Sequence, residues 1–496
     1  MELPEQVRVR REKLDRLRAT GSEAYPPAYP RTHEVAQVRT EHAGLDVDVY
    51  TGARVAVAGR VMLSRTGGKL CFATIRDGSG DLQVMLSLDR LGADFLAAWK
   101  SDVDLGDHVG ITGEVITSRR GELSVLADEW TLTAKCLRPL PEKHKGLTDP
   151  EARVRQRYVD LIVNPEARDM VLTRAAAVRA LRAGLQDHDF VEVETPMLQQ
   201  VHGGATARPF TTHINAYNLD LYLRIAPELF LKRLVVGGIE RVFEINRNFR
   251  NEGADSTHNP EFTMLEFYQA YTDYTEVAAL TRELIQNAVR AAFGTTVVEH
   301  AQGPLDLGGE WPWLPLHTAV SQALGTEVTP HTPVAELRKH ADERGVTWDE
   351  FWGPGKLTEH LFEELAEHTL LQPTFVSDFP LETSPLTRQH RSEPLLAEKW
   401  DLIGFGMELG TGFTELTDPD DQRQRLTEQS LQAAGGDPEA MQLDEDFLRA
   451  LEYGMPPTGG VGVGIDRLLM GCTGKNIRET IPFPLVKPDG TRETPR

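Results

Sequence analysis

Residues Arg247 to Glu266 read RNFRNEGADSTHNPEFTMLE, and this stretch is the clearest indication of the fold. It is dense in charged, asparagine and aromatic residues, although the sequence on either side is strongly apolar. The runs Arg241 to Asn246 and Phe262 to Tyr268 alternate with the period of two that is typical of a half-buried strand. We therefore predict an antiparallel hairpin with a binding site in its loop.

The loop offers a guanidinium fork, an imidazole and free backbone amides, which are the groups that bind a polyphosphate. These come from Arg250, Glu252, Gly253, His258 and Asn259. The alternative is a solvated hairpin tip. An ordinary turn does not need Phe249 and Phe262 beside so many ionic groups, so we favour the binding site.

The order FRNEG then HNPEFT resembles motif 2 of the class II aminoacyl-tRNA synthetases in its lysyl form. The variants Asn251-Glu252-Gly253 and His258-Asn259-Pro260 favour the lysyl branch over the aspartyl and asparaginyl branches. The resemblance runs from about residue 50 to residue 485. It implies that ATP activates L-lysine to lysyl-adenylate, with release of pyrophosphate, and that lysine then passes to the 3′ end of tRNA(Lys).

Composition sets limits on the class of protein. At 496 residues the chain is longer than one typical domain, so we expect two or more. The sequence has no apolar run near the length of a membrane helix and no secretory signal at its start, which predicts a soluble cytoplasmic protein without a membrane partner. The three cysteines lie far apart and outside any CxxC spacing, which argues against a disulfide framework or a zinc site.

The charge balance alone argues against an RNA partner. Lys plus Arg number 53 against 75 Asp plus Glu, a net charge of −22, whereas nucleic-acid-binding domains are typically basic. A local basic cluster does lie on a predicted N-terminal helix, at Arg8, Arg10, Arg11, Lys13, Arg16 and Arg18. A solvated helix, with Glu12 and Asp15 interleaved, explains that cluster equally well.

Five short strand-like runs predict an OB-fold barrel in the N-terminal part of an α+β protein. They are Arg54 to Met62, Leu70 to Arg76, Asp81 to Ser87, His108 to Thr117 and Glu122 to Leu132, with a helix from Asp89 to Lys100. We predict an N-terminal helical extension at 1–49, the anticodon-binding barrel at 50–137, a linker at 138–150 and a class II catalytic domain at 151–496. The catalytic domain, built on an antiparallel sheet flanked by helices, carries a helical insertion at about 305–371.

Phe72 and Gln83 lie on the second and third predicted strands, near Arg65 and Glu122. An aromatic platform with amide, guanidinium and carboxylate groups could read unpaired bases. The resemblance makes these four the anticodon-binding residues for a uridine-rich anticodon. The alternative for Phe72 is an aromatic in the barrel core.

A helix with apolar residues at Val171, Ala175, Val178, Leu181 and Leu185 leads into a strand that stops at Pro196. This resembles motif 1, which implies a homodimer formed through that helix and strand. Periodicity alone fits a plain amphipathic core helix.

A selective lysine pocket needs at least two anionic side chains, because the ligand carries two ammonium groups, and one positive group for its carboxylate. By resemblance, Glu415 and Tyr268 hold the side-chain ammonium, Phe413 packs the methylenes, and Gly204 with acidic neighbours holds the α-amino group. The role of those neighbours is left open between Glu228 and Glu266. Arg250 and Thr411 complete the pocket, and Thr411 stands where many relatives have an Asn donor.

For ATP, charge on the α-phosphoryl group needs a cation placed beforehand, and Arg250 is our candidate. The run Gly459 to Arg467 resembles motif 3, which implies that Arg467 stacks on adenine opposite Phe262; the rival dinucleotide fingerprint has the wrong glycine spacing. Arg250 and Arg467 are the predicted catalytic residues. The predicted ATP-binding set is Arg250, Glu252, His258, Asn259, Phe262, Glu408, Gly464 and Arg467.

By resemblance, Asp401 and Glu408 bind Mg²⁺, with Asp401 standing where Glu is common. Their spacing of seven residues fits two turns of helix or a strand placement equally well. Two other functions stay open: a paralogue that attaches lysine to a protein, which typically lacks the OB domain, and an inactive RNA-binding relative.

Overall fold

The computed structural model describes residues 4–141, 146–434 and 441–488, arranged in two compact units, Met1–Thr148 and Asp149–Arg496. Small parts of three predicted regions lie outside the described residues: 1–3 of the N-terminal extension, 142–145 of the linker, and 435–440 and 489–496 of the catalytic domain.

The first unit is a closed five-stranded barrel with strand order β1-β2-β3-β5-β4, as an OB-fold requires. Its elements are α1 (Glu5–Ala19), α2 (Val35–Glu41), β1 (Tyr50–Thr66), β2 (Leu70–Arg76), β3 (Asp81–Ser87), α3 (Leu88–Leu91), α4 (Ala93–Asp102), β4 (His108–Thr117) and β5 (Leu123–Ala134). The predicted fold class is confirmed. The single helix predicted at Asp89 to Lys100 was wrong, because Gly92, with φ of 81°, divides it into α3 and α4.

Alternation along β2 and β3 sorts side chains between the barrel core and its surface. Cys71, Ala73 and Ile75 are buried, and Phe72 lies on the outer face between them. The barrel-core alternative for Phe72 is therefore wrong.

Helix α1 is held against the barrel by part of the basic cluster predicted for RNA. Arg10 is buried and donates to the carbonyl of Cys136 at 2.8 Å, and Lys13 lies 2.7 Å from the Asp104 carboxylate. Arg8 pairs with Glu12 on the same helix at 2.8 Å. Arg10 and Lys13 are thus structural, whereas Arg8, Arg11, Arg16 and Arg18 are exposed.

The second unit is built on an eight-stranded sheet of order β14-β15-β16-β17-β18-β11-β10-β6, in which the two end pairs are parallel and the others antiparallel. Its strands are β6 (Val191–Glu192), β7 (Leu198–Gln199), β8 (Thr211–Ile214), β9 (Leu219–Leu223), β10 (Arg241–Phe249), β11 (Glu261–Ala270), β12 (Val297–Val298), β13 (Leu305–Asp306), β14 (Trp313–Pro315), β15 (Thr374–Ser377), β16 (Lys399–Gly404), β17 (Met407–Thr414) and β18 (Thr458–Gly464).

The helices of this unit are α5 (Pro150–Arg155), α6 (Arg157–Val163), α7 (Pro165–Asp187), α8 (Glu228–Val236), α9 (Tyr274–Phe293), α10 (Leu316–Leu324), α11 (Val334–Arg344), α12 (Pro354–Leu365), α13 (Pro419–Ala434), α14 (Glu445–Glu452), α15 (Ile465–Thr473) and α16 (Ile477–Thr480). Helices α10 to α12 form a hydrophobic core of their own within the predicted insertion. None of the described helices combines the length and the apolar character that crossing a bilayer requires.

Strands β10 and β11 form the predicted antiparallel hairpin, which pairs Glu244 with Glu266 and Phe249 with Glu261. Phe243, Leu265 and Phe267 point from one face of this sheet into the main core, against α7 and α9. The side chains between them point to the opposite face. That face carries the candidate site.

The predicted apolar face of α7 was partly wrong. Ala175 is exposed, whereas Arg174, a charged residue, is buried. The burial has a reason: the Arg174 guanidinium binds the Asp466 carboxylate on α15 and donates to Thr263 Oγ1 at 2.8 Å on β11. The helix therefore presents an ionic anchor to the sheet in the middle of its buried face.

Candidate active site

The open face of the sheet holds a cavity of about 220 Å³. It is lined by all of the residues predicted for lysine and metal: Gly204, Glu228, Arg250, Glu266, Tyr268, Asp401, Glu408, Thr411, Phe413 and Glu415. They come from α8, β10, β11, β16, β17 and the segments beside them, so residues up to 211 positions apart in sequence meet in one cavity.

The floor of the cavity is glycine because no side chain fits there. Gly460 and Gly462 line the cavity from β18, while Val461 and Val463, which alternate with them, pack in the main core. A Cβ atom at Gly460 would collide with the Glu415 carboxylate and the Tyr268 ring. The glycine run therefore makes room for two of the predicted lysine-binding groups.

One end of the cavity is strongly acidic. Glu228, Glu266 and Glu415 are buried around Tyr268, at 5%, 4%, 1% and 3% exposure respectively. Burial raises the pKa of Glu415 to about 8 and raises the pKa of Glu266 well above its usual value. Since buried carboxylates are costly without partners, this end is built for a ligand that brings positive charge.

Sequence analysis missed Lys232, which lies between two of these carboxylates. Its side chain is fully buried, and Nζ lies 2.6 Å from Glu228 Oε1 and 2.5 Å from Glu415 Oε2. The signal available was the spacing of four between Glu228 and Lys232, which places both on one face of a helix. The contact with Glu415 had no signal in the sequence.

Arg250 stands at the other end of the cavity with free hydrogen-bonding capacity. Its guanidinium carbon lies 5.2 Å from the centre of the Phe262 ring, a cation–π contact that fixes the plane of the group. Its Nε is buried, and among the described residues no acceptor binds it. An anionic ligand would satisfy that donor.

A second charged cluster adjoins Arg250 on the β16–β17 hairpin. Asp401 lies on β16 and Glu408 on β17, which decides between the helical and strand placements in favour of strands. Lys399, also missed by sequence analysis, lies 3.2 Å from Asp401 Oδ2. Arg467 lies 3.3 Å from Glu408 Oε2 and donates to the Glu408 carbonyl at 3.0 Å.

Asp401 and Glu408 are chemically suited to a divalent cation. Asp401 Oδ1 is buried without a hydrogen-bond donor among the described residues. Burial, together with the charge of Glu408, raises the pKa of Asp401 to about 6. No group of three or more His, Cys, Asp or Glu side chains is arranged around a metal position in the described part of the chain. Two carboxylates fit Mg²⁺, which takes its remaining ligands from phosphate oxygens and water.

The remaining predicted ATP-binding residues are not brought into the cavity. Glu252 accepts from the Arg208 amide at 3.3 Å, and His258 is half-exposed beside Asp255, at 3.3 Å. Gly464 immediately precedes α15, which carries Arg467. Asn259 is buried, its amide donating to the Glu261 carbonyl and its Oδ1 accepting from the Leu485 amide at 3.2 Å. That side chain therefore fixes the end of the loop.

On the first unit, a groove of about 1130 Å³ runs over the outer face of the barrel. Arg65, Phe72, Gln83 and Glu122 all line it. Gln83 donates to Ser124 Oγ at 2.8 Å, so its carboxamide is held in place from one side. The four predicted anticodon-binding residues therefore share one surface.

Large apolar side chains are exposed on α7 and on the short strands that follow it. Leu172 on α7 is 61% exposed, Val191 on β6 50% and Leu198 on β7 50%.

Comparison with known proteins agrees with this arrangement. The family described as tRNA synthetases class II (D, K and N) matches residues 149–487, and the OB-fold nucleic acid binding domain matches residues 55–133. Similar proteins include a lysine–tRNA ligase of Kineococcus radiotolerans, 60% identical over 98% of both chains, and a lysine–tRNA ligase of Mycobacterium bovis, 57% identical over 98% of both. The lysylphosphatidylglycerol biosynthesis bifunctional protein LysX of Nocardia farcinica is 56% identical, over 98% of this chain and 43% of that protein.

Proposed function

The chain belongs to the class II tRNA synthetases, an ATP-using family, and it activates lysine and charges tRNA with it; we propose which of its residues carry each step. The observation on which the proposal rests is the single cavity in which three buried carboxylates face the unsatisfied Arg250 guanidinium. A ligand with two ammonium groups and one carboxylate complements that arrangement.

We propose that Glu415 and Tyr268 bind the side-chain ammonium of lysine and that Glu228 and Glu266 lie toward its α-amino group. Phe413, which lines the cavity between these ends, packs the methylenes. Gly204 supports the α-amino end: its φ of 86° and its contact with Glu228 leave no room for a side chain. Rejection of neutral amino acids then follows from leaving buried carboxylates without partners.

Arg250 binds the carboxylate of lysine and the α-phosphoryl group of ATP, where its charge stabilises the negative charge that builds up as the carboxylate attacks. The cation–π contact with Phe262 holds the guanidinium in place before the reaction. Arg467 stacks on the adenine, and its ion pair with Glu408 fixes its orientation. No general base is needed, because the carboxylate is already ionised.

Asp401 and Glu408 would hold Mg²⁺, which would neutralise phosphate charge when bound. Although burial acts to lower it, the nearby carboxylates of Asp401, Glu359 and Glu408 keep the pKa of Lys399 raised, so that Lys399 neutralises Asp401 when the metal is absent. Glu252 and His258 are exposed on the loop, and we propose that they contact ATP when the loop closes over it. Asn259 acts by fixing that loop.

We propose that Arg65, Phe72, Gln83 and Glu122 read the anticodon of tRNA(Lys) in the barrel groove, with Phe72 as the stacking platform. Retention of this OB-fold domain argues against the paralogue that modifies a protein. The presence of Arg250, Glu408 and Arg467 in the cavity region argues against an inactive relative.

A second copy of the chain is the proposed partner for the exposed apolar surface at Leu172, Val191 and Leu198. This corresponds to a homodimer through the motif 1 helix and strand. We assign the enzyme to the cytoplasm, because tRNA charging takes place where translation does.

The experiment is ATP–pyrophosphate exchange with each of the twenty amino acids, on the wild type and on Arg250→Ala. We expect exchange with lysine alone, and a loss of roughly a thousandfold in Arg250→Ala because an electrostatic donor to the transition state is gone. Arg247→Ala is the matched control, since Arg247 lies on β10, three residues before Arg250, and pairs only loosely with Glu261, at 4.0 Å. Near-normal exchange in folded Arg250→Ala would refute the assignment.

A further inference from the structure

Lys232 is the one group of the acidic end that the proposed mechanism does not use. It sits on α8, one turn after Glu228, and its Nζ bridges Glu228 Oε1 at 2.6 Å and Glu415 Oε2 at 2.5 Å. Glu228 is proposed to lie toward the α-amino group and Glu415 to bind the side-chain ammonium. A single internal ammonium therefore connects the two ends of the substrate pocket.

The charges around this ammonium can be counted from their contacts. The charged groups that act on it directly are Glu228 and Glu415. The buried Glu266 beside Glu228 is in turn acted on by Glu244, Arg224 and Arg250, and the titratable Tyr268 lies among the three carboxylates. Arg224 is paired with Glu244 at 2.8 Å, and that pair is neutral. Arg250 faces the carboxylate end of the ligand. Three carboxylates and Lys232 remain, and once the carboxylates are ionised they leave the pocket with two negative charges.

We propose that Lys232 is a positioning and specificity-determining residue: its ammonium cancels one of three buried carboxylate charges, so that the fully ionised pocket carries the two negative charges that the two ammonium groups of lysine neutralise. This inference rests on the proposed lysine pocket. It goes further in assigning the charge match to an internal residue rather than to the carboxylates alone.

The geometry supports this over a purely structural role. Lys232 is fully buried, and a buried ammonium is stable only with ionised partners. Although burial acts to lower the pKa of Lys232, the charges of Glu228 and Glu415 keep that pKa raised. Both Glu415 oxygens lack a well-aligned hydrogen-bond donor among the described residues; Oε2 lies in the ion pair with Lys232, so Oε1 remains for the ligand. Lys232 thus fixes the position of Glu415 and leaves one of its oxygens able to bind the ligand.

Without Lys232, three carboxylates would face two ammonium groups, so the surplus carboxylate would have to be protonated in the complex, and above its pKa binding of lysine would require uptake of that proton. Proton uptake makes binding weaker as pH rises, by up to about tenfold per pH unit. Lysine itself loses protons at high pH, but this affects the wild type and the variant alike. The ratio of their KM values therefore isolates the role of Lys232.

The test is Lys232→Met, which keeps the length of the side chain and removes its charge, in the ATP–pyrophosphate exchange reaction from pH 6 to pH 9. We expect the KM for lysine to rise at least a hundredfold at pH 8, with the KM for ATP within threefold of wild type. The excess should shrink as pH falls. A rise that is equal at every pH, or no rise, would overturn the proposal.

Lys135→Met is the matched control. Lys135 is also fully buried and bridges two carboxylates, Asp104 and Asp107, each at 2.7 Å, but it lies in the barrel. Its removal should lower the melting temperature and leave the KM for lysine unchanged at every pH. A pH-dependent KM in Lys135→Met would mean that the effect reports general destabilisation, which would also overturn the proposal.

A double variant keeps the proposal testable if Lys232→Met folds poorly. Adding Glu228→Gln to Lys232→Met restores two negative charges, so the double variant should bind lysine at least tenfold better than Lys232→Met, or fold where it does not. Strictly additive losses would overturn the inference. If Glu228→Gln and Glu415→Gln alone leave the KM for lysine unchanged, the proposed pocket itself is wrong; if they raise it and Lys232→Met does not, only the role of Lys232 fails.

Discussion

The Arg174 guanidinium on α7 binds the Asp466 carboxylate on α15, and the second oxygen of Asp466 accepts from the Thr263 amide on β11 at 2.7 Å. One ionic contact thus joins the helix of motif 1, the hairpin of motif 2 and the helix of motif 3. Asp466 directly precedes Arg467 in the chain, so the contact also helps to fix the position of Arg467, for which we propose stacking on the adenine.

Replacing Arg174 with Met should destabilise the catalytic unit and slow exchange together. Removing one partner of a buried pair leaves the other charge uncompensated, which costs about 3–5 kcal/mol. Urea unfolding measures the first effect and ATP–pyrophosphate exchange the second. Arg182→Met is the control, because the Arg182–Glu192 pair on the same helix is partly exposed and worth less than about 1 kcal/mol. Equal losses in both variants would contradict the prediction.

Replacing Phe72 with Ala should weaken tRNA charging and spare lysine activation. Stacking of a base on an aromatic ring contributes about 1–3 kcal/mol, so the KM for tRNA should rise roughly tenfold or more. The KM for lysine in exchange should not change. Phe95→Ala, which removes a half-exposed ring elsewhere on the barrel, should leave both constants unaltered. A parallel loss in both reactions would mean that Phe72 supports the fold instead.

Replacing Thr411 with Asn should strengthen lysine binding. The Thr411 hydroxyl donates to the Trp400 carbonyl at 3.3 Å, so its proton is not available to the substrate carboxylate. A carboxamide would supply a donor into the cavity, and one added hydrogen bond of about 1 kcal/mol lowers KM roughly fivefold. Exchange kinetics at varied lysine concentration measure this, and an increased KM would show that the threonine is already the better ligand.

His317 should make the stability of the second unit depend on pH. Burial lowers its pKa to about 4, whereas the unfolded chain titrates near the usual value of 6.5. Between these values the unfolded state binds more protons, so the stabilisation is complete above pH 6.5 and is lost as pH falls toward 4. Urea unfolding at pH 7.5 and pH 5 should show a loss of about 2 kcal/mol that is absent in His317→Gln. An equal loss in that variant would assign the pH dependence to other groups.

The barrel and the hairpin were predictable because their signals are local. Alternation with period two placed β2, β3 and β4 at their observed bounds, and glycine-rich turns separated them. The break in the helix after β3 was missed because a glycine within an apolar helical run does not by itself reveal a positive φ. On α7, periodicity favoured Ala175 over Arg174, because hydrophobic spacing cannot detect a buried ion pair with a residue 292 positions away.

Site residues that belong to a sequence motif were predictable, whereas residues whose partners come from a distant segment of the chain were not. Glu415 and Arg250 were named from motif position, whereas Lys232 and Lys399 were missed because their roles depend on carboxylates that strand pairing brings to them. Asn259 shows the opposite limit. It belongs to the motif, but its side chain forms hydrogen bonds with the backbone of Glu261 and Leu485 and so holds the end of the loop.

The bare strand backbone at Gly460 also restricts how the enzyme can evolve. Even alanine there would displace Glu415 or Tyr268, so the pocket cannot be shortened from this side to favour a smaller diamine substrate. A lineage that changed its amino acid would have to begin at the carboxylates or at Phe413 instead. Substitutions that change the amino acid specificity are therefore expected among the side chains that surround the pocket, while Gly460 stays unchanged.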